Sequence, residues 1–207
     1  MKSIILIFPV LMFSFLFNNC EKIVPEKSLQ ATVQFIIGDA QVDNQPAKIG
    51  QKIKNQSIIS TGDNSMIEIR MGKYSGSQIR ENSRVRIIMD KSGWNIHSYR
   101  GAALSLIQPG TNFKIEGPSS VIAVRGTIFY VHSYDDSSQY ICTCNGTVDI
   151  LNDTTLNKTV SAYHHEGYVA TRSDGSQILE AAPMKEHTDL EIFDFMYRLE
   201  RAGEFSE

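Results

Sequence analysis

Cys142-Thr143-Cys144 carries the most chemistry of any short pattern in this chain. In a strand, residues two apart share a face and their Cα atoms lie about 6.5–7 Å from each other. That separation is at the outer limit for a disulfide, while it suits two thiolates gripping one ion. Later in the chain come His164-His165 and His187. A strand over Tyr163–Ala170 turns neighbouring side chains to opposite faces, so only one of the two adjacent histidines can join a given site. The expected ligand set is Cys142, Cys144, His165 and His187, with His164 as the alternative to His165. Two thiolates and two imidazoles match a tetrahedral zinc site, with iron or copper as alternative ions. Asp189 or Glu191 is placed to orient a ligating imidazole from outside that set. Two other readings of the cysteines stay open: a disulfide or redox pair, and plain thiols with the histidines satisfied by hydrogen bonds.

These residues need elements to position them. From Ala31 onward, short runs rich in Val, Ile and Thr alternate with Gly, Asn, Asp and Ser clusters, as in Met66–Arg70, Arg84–Ile88 and Thr127–Val131. Many alternate apolar with polar residues, and turn signals recur every eight to twelve residues or so, the pattern of half-buried short strands. The fold class expected is all-β, a short-stranded sandwich or solenoid-like domain over residues 32–151. Residues 152–207 form a C-terminal extension, a hairpin plus an amphipathic helix over about 189–201. Thr188 and Glu191 form a capping box at its start. Leu190, Phe193, Met196 and Tyr197 share one face, and Ile192, Phe195 and Leu199 widen the apolar surface beyond it. A helix so apolar is expected to dock onto the β body, with a partner as the alternative surface.

The N-terminus reads differently. Met1-Lys2 is followed by an uncharged, mostly apolar run from Ser3 to Phe17, then Asn18-Asn19-Cys20 and the charged Glu21-Lys22. A charged start, a short apolar core and a polar junction describe a secretory signal. The core is shorter than the roughly 20 residues that span a bilayer. Leu16–Cys20 has the form of a relaxed lipobox, although Asn19 replaces the small residue usual before the cysteine. Residues 1–19 are therefore read as a lipoprotein signal, Cys20 as the lipidation site and residues 20–31 as a tether; the alternative is an ordinary signal cut nearby, with Cys20 a free thiol. Lipid on Cys20 makes the membrane a partner and places the protein in the cell envelope, exported, at a periplasmic face or outer membrane.

The chain has 207 residues and a formal charge of −3, too mild and too evenly spread to suggest a nucleic-acid partner. It contains no Gly-x-Ser-x-Gly, His-Glu-x-x-His or phosphate-binding loop. His164-His165-Glu166 lacks the further ligands of a metallohydrolase, and Asp135-Asp136 beside Ser137-Ser138 reads as a solvated turn. No enzyme is expected.

An ordered series of motifs resembles a known family. It opens with Gly38–Val42, continues through Gly50–Ile53, Ile58–Gly62, Ser65–Arg70, Ile79–Val85 and Gly101–Leu106, and closes with Phe113–Ile115 and Val121-Ile122-Ala123-Val124-Arg125-Gly126-Thr127-Ile128-Phe129. This series is similar to the FecR domain over about residues 33–150. The resemblance implies an all-β exported domain used in envelope signalling and assembly, not an enzyme. Arg125 is expected to serve structure, bonding turn carbonyls. The regulators that define the family also carry a cytoplasmic helical segment, a membrane span and a C-terminal signalling module, which this chain does not match, so direct sigma-factor control is not expected. The tail resembles a subset of FecR-domain proteins with Cys-x-Cys, a histidine pair and His-Thr-Asp-x-Glu in that order. The function expected is a non-catalytic, membrane-anchored envelope lipoprotein that binds another envelope protein or a cell-wall polymer and carries a Cys2His2-type metal site. The alternative is an envelope metal or redox sensor acting through Cys142 and Cys144.

Overall fold

Alternating apolar and polar residues become strands almost wherever the sequence pattern puts them. A computed structural model describes residues 29–124, 126–153 and 155–201. The signal segment, Cys20, the tether up to residue 28 and Arg125 lie outside the described residues. The first strands are β1 (Ala31–Ile37), β2 (Ala40–Val42), β3 (Gln45–Pro46), β4 (Lys52–Ile53), β5 (Ile58–Thr61), β6 (Met66–Met71), β7 (Ser75–Ile79) and β8 (Arg84–Asp90). They are followed by β9 (Gly93–Ile107), β10 (Phe113–Glu116), β11 (Val121–Val124), β12 (Thr127–Ser133) and β13 (Ser138–Asn152). The chain continues as β14 (Thr155–Ala162), β15 (Glu166–Ser173), β16 (Ser176–Ala182) and one helix, α1 (Asp189–Arg201). No described helix is long and apolar enough to cross a membrane.

Two sheets face each other and close through shared strands. One runs β16-β15-β13-β12-β9-β7-β6-β1-β4. The other runs β14-β13-β11-β10-β9-β8-β5-β2-β3. Among these pairs only β9 and β10 run parallel. β9 and β13 are the two longest of the described strands. In the structure each is a continuous strand of 15 residues that passes from one sheet into the other. Gly101 (φ 84°) and Gly146 (φ 110°) sit at the crossings, where positive φ turns the strand without ending it. The core lies between the sheets: Ile67, Ile69, Ile79, Val131 and Ile141 from the first meet Ile59, Ile87, Ile96, Ile115 and Ile150 from the second. Phe113 and Phe129 join the layers edge to face, their centroids 5.9 Å apart. The expected all-β sandwich with a C-terminal helix is the observed architecture.

A second apolar cluster covers the outer face of the first sheet. Leu104, Tyr130, Tyr140, Cys142 and Cys144 pack there against Ile192, Phe195 and Leu199 of α1. The helix docks as expected, but on a different stripe. Leu190, Phe193 and Tyr197 are more than half exposed, and the three residues read as merely widening the surface form the buried face. Ion pairs on one flank fix this rotation: Arg80 Nη2 lies 2.6 Å from Glu191 Oε1, and Arg198 reaches the buried Glu68 at 2.6 Å. The capping box forms as read. The Thr188 N–H donates to Glu191 Oε2 at 2.8 Å, and the Glu191 N–H donates to Thr188 Oγ1 at 3.3 Å. Thr188→Ala should cost about 1 kcal/mol of stability, measured by denaturant unfolding. No loss at all would show that the ion pairs alone set the start of the helix.

Candidate metal centre

Strand alternation decides where the sulfurs go. Ile141 points into the core between the sheets, so Tyr140, Cys142 and Cys144 line the outer face beneath the start of α1. Both cysteines are buried and neither is in a disulfide.

His165 arrives from the connection between β14 and β15. The sequence reading sets it inside a strand, but β15 begins only at Glu166, and residues 163–165 form the turn. The turn is tied to β13: the His165 N–H donates to the Cys144 carbonyl at 3.1 Å, and Asn145 Nδ2 donates to the Tyr163 carbonyl at 3.0 Å. His165 takes a positive φ of 44°, which swings its ring inward over the sulfurs. His164 projects outward instead.

His187 arrives from the loop before α1, and three tyrosines build that loop. Tyr140 Oη donates to the Pro183 carbonyl at 3.0 Å and accepts from the Lys185 N–H at 3.2 Å. Tyr134 Oη donates to Glu186 Oε1 at 2.8 Å, and His132 Nδ1 lies 2.5 Å from Glu186 Oε2. Tyr130 stacks on the His187 ring at 4.6 Å, 17° from parallel. The sequence reading missed this scaffold. Tyr130, His132, Tyr134 and Tyr140 look like ordinary strand residues until β12 and β13 pair beneath the loop.

The four expected ligands converge. One ligand atom from each of Cys142, Cys144, His165 and His187 lies within 4.8 Å of every other. Cys142 Sγ is 3.6 Å from His165 Nδ1, Cys144 Sγ is 3.3 Å from His187 Nε2, and the two nitrogens are 3.3 Å apart. For Zn–N near 2.05 Å and Zn–S near 2.3 Å, a tetrahedron has edges of about 3.3 Å (N–N), 3.6 Å (N–S) and 3.8 Å (S–S). The outer nitrogens are already committed. His187 Nδ1 donates to the Lys185 carbonyl at 2.8 Å, and His165 Nε2 donates to Asp189 Oδ1 at 2.7 Å. Carbonyl and carboxylate oxygens only accept, so in the neutral rings both inner nitrogens turn lone pairs toward the sulfurs.

Of the two residues expected to orient a ligand, Asp189 is hydrogen-bonded to His165. Glu191 is not: its carboxylate is taken by Arg80 and Thr188, on the far side of the helix start. The hydrogen bond from Cys144 holds the Cys142 thiol well below its usual range, against the opposing effect of burial. The Cys144 thiol is pushed up by the proton it shares with Cys142 and by burial. The remaining acidic motifs are structural: Asp135 Oδ1 accepts from the Ser137 N–H at 2.7 Å in a turn, and Glu166 accepts from Tyr168 Oη at 2.7 Å.

The class defined so far is a closed two-sheet β protein with a buried sulfur–imidazole cluster on its outer face. Residues 57–149 match the family model described as FecR protein. Proteins of that family are in general non-enzymatic and serve signalling or regulation. Cys142 and Cys144 fall inside the matched segment, whereas His165, His187 and α1 follow it. Two crystal structures of a proposed anti-sigma factor from Parabacteroides distasonis, at 2.50 and 1.65 Å, are similar at 13% identity and a TM-score of 0.49. The alignments cover 61% of this chain and 60% of those chains. None of the curated proteins searched matches the chain.

Proposed function

We propose that this is a non-catalytic envelope lipoprotein, exported and anchored by acyl chains on Cys20, whose FecR domain binds another envelope protein or a cell-wall polymer. A zinc ion held by Cys142, Cys144, His165 and His187 staples the start of α1 to the first sheet. One observation carries the metal: four ligand atoms lie within 4.8 Å of one another, three of their separations are close to tetrahedral edges, and both outer imidazole nitrogens are already hydrogen-bonded. Zinc suits the charge, because two thiolates and a divalent cation make a neutral buried unit. The FecR match supports a regulatory, non-catalytic role. The anchor rests on the signal pattern and Cys20. Burial of both sulfurs favours a structural ion over the alternative metal or redox sensor, whose thiols need access to oxidants.

The test starts from protein isolated from its own membranes. About one equivalent of zinc and a diacylglyceryl mass on the N-terminal cysteine are expected. Cys20→Ser should move the protein from the membrane to the soluble exported fraction. Protein without metal and with both thiols oxidised would overturn the staple, and an unmodified mature protein would overturn the anchor.

A further inference from the structure

A buried ion needs a route in. The cluster is closed by β13 beneath it, by Tyr130 stacked on His187, and by Ile192 and Phe195 of α1 packed beside the cysteines. On the remaining side stand two polar groups that face solvent. The side chains of His164 and Asp189 are 70% and 49% exposed, against 4% for His165. His164 Nε2 is 3.0 Å from Asp189 Oδ2, His165 Nε2 is 2.7 Å from Asp189 Oδ1, and the two histidine rings meet edge to face at 4.5 Å. The ligand atoms of His164, His165 and Asp189 all lie within 4.8 Å of one another. His165 therefore belongs to two clusters at once: Nδ1 looks inward at the sulfurs and Nε2 looks outward at Asp189.

We propose that His164 and Asp189 form a solvent-facing capture site for a divalent cation, which loads the buried cluster past His165. This inference rests on the metal reading above. His164 Nε2 and one Asp189 oxygen take the hydrated ion, and the His164 proton sits on Nδ1. The ion then gains His165 Nδ1, His187 Nε2 and both sulfurs as it leaves His164, Asp189 and its waters. Any thiol proton goes to bulk water as the sulfurs bind, and no electrons are transferred. Asp189 returns to the His165 N–H and fixes the ring. His164 has no part in the finished site.

The two roles differ in kinetics. A residue on the path lowers the barrier in both directions and leaves the equilibrium where it was. The probe is Co²⁺ added to metal-free full-length protein, followed by stopped-flow absorbance of the thiolate charge-transfer band. His164→Ala should slow uptake and chelator-driven release by the same factor, about tenfold, with unchanged affinity. A Cys142→Ser/Cys144→Ser double variant should keep a weak cobalt site with nitrogen–oxygen d–d bands only, and His164→Ala on that background should abolish it. Unchanged rates in His164→Ala overturn the capture site alone. Weaker affinity with faster release also overturns it, by making His164 part of the final ligand set. A wild-type protein with no thiolate band overturns the metal reading and the loading role together.

Discussion

Cys144→Ser protein should come out of purification with less than about a tenth of an equivalent of zinc, where the wild type carries about one. Serine keeps the size and the strand but removes one of four ligand atoms that only a thiolate supplies well. Free zinc a thousandfold above its dissociation constant stabilises the folded state by about 4 kcal/mol. For a domain of this size, that is a fall in Tm of roughly 8 to 16 °C. The control uses the same measurement: chelator should bring the wild type down to the melting point of the variant and leave the variant where it is. A variant that retains zinc, or a wild type indifferent to chelator, contradicts the ligand assignment.

Arg198→Ala should be the costliest single change on the other end of the helix. Glu68 is 0% exposed, and Arg198 Nε and Nη2 reach its Oε1 at 2.9 and 2.6 Å. Gln34 and Gln78 donate to the same carboxylate at 3.1 and 3.0 Å. The guanidinium also lies over the Phe35 ring at 4.8 Å. Truncation leaves a buried charge held by two amides, a change that costs about 3–5 kcal/mol in comparable sites. The Arg198 side chain is itself 22% exposed, so water can reach the gap and the lower end, about 3 kcal/mol, is expected. Adding Glu68→Gln should recover a good part of the loss, because it removes the stranded charge. A loss below about 1 kcal/mol in denaturant unfolding would mean that the pair behaves as a surface contact.

Much of the fold was legible because burial on one face writes a period of two into the sequence. Met66–Arg70, Arg84–Ile88 and Thr127–Val131 were readable as strands for that reason, and each falls within one. The pattern failed where a strand changes sheets. At Gly101 and Gly146 the inward and outward faces exchange roles, and a glycine in an alternating run looks like a terminator. For α1, composition gave the helix and its cap but not its rotation. Leu190, Phe193 and Tyr197 are as apolar as the residues that docked, and the rotation is set by Arg80 and Glu68, more than 100 residues away in sequence. The members of the cluster were legible from residue type alone. His165 and His187 were identified, yet nothing local revealed that one sits in a turn and the other on a platform of tyrosines. Choosing between Asp189 and Glu191 required knowing which side of the helix start faces β13. The signal segment, Cys20 and Arg125 lie outside the described residues.

The crossings of β9 and β13 have a consequence for how the molecule comes apart. In an open sandwich, one layer can loosen while the other persists, since only side chains hold them together. Here two covalent backbones run through both layers, so fraying of either must pull out hydrogen-bonded residues of the other. Stability is then a property of the whole body, and local opening is confined to what hangs outside the corners: the short outer strands and the helix. Loss of the helix contacts would therefore lower the barrier to opening at the periphery long before it threatened the body on which the helix rests.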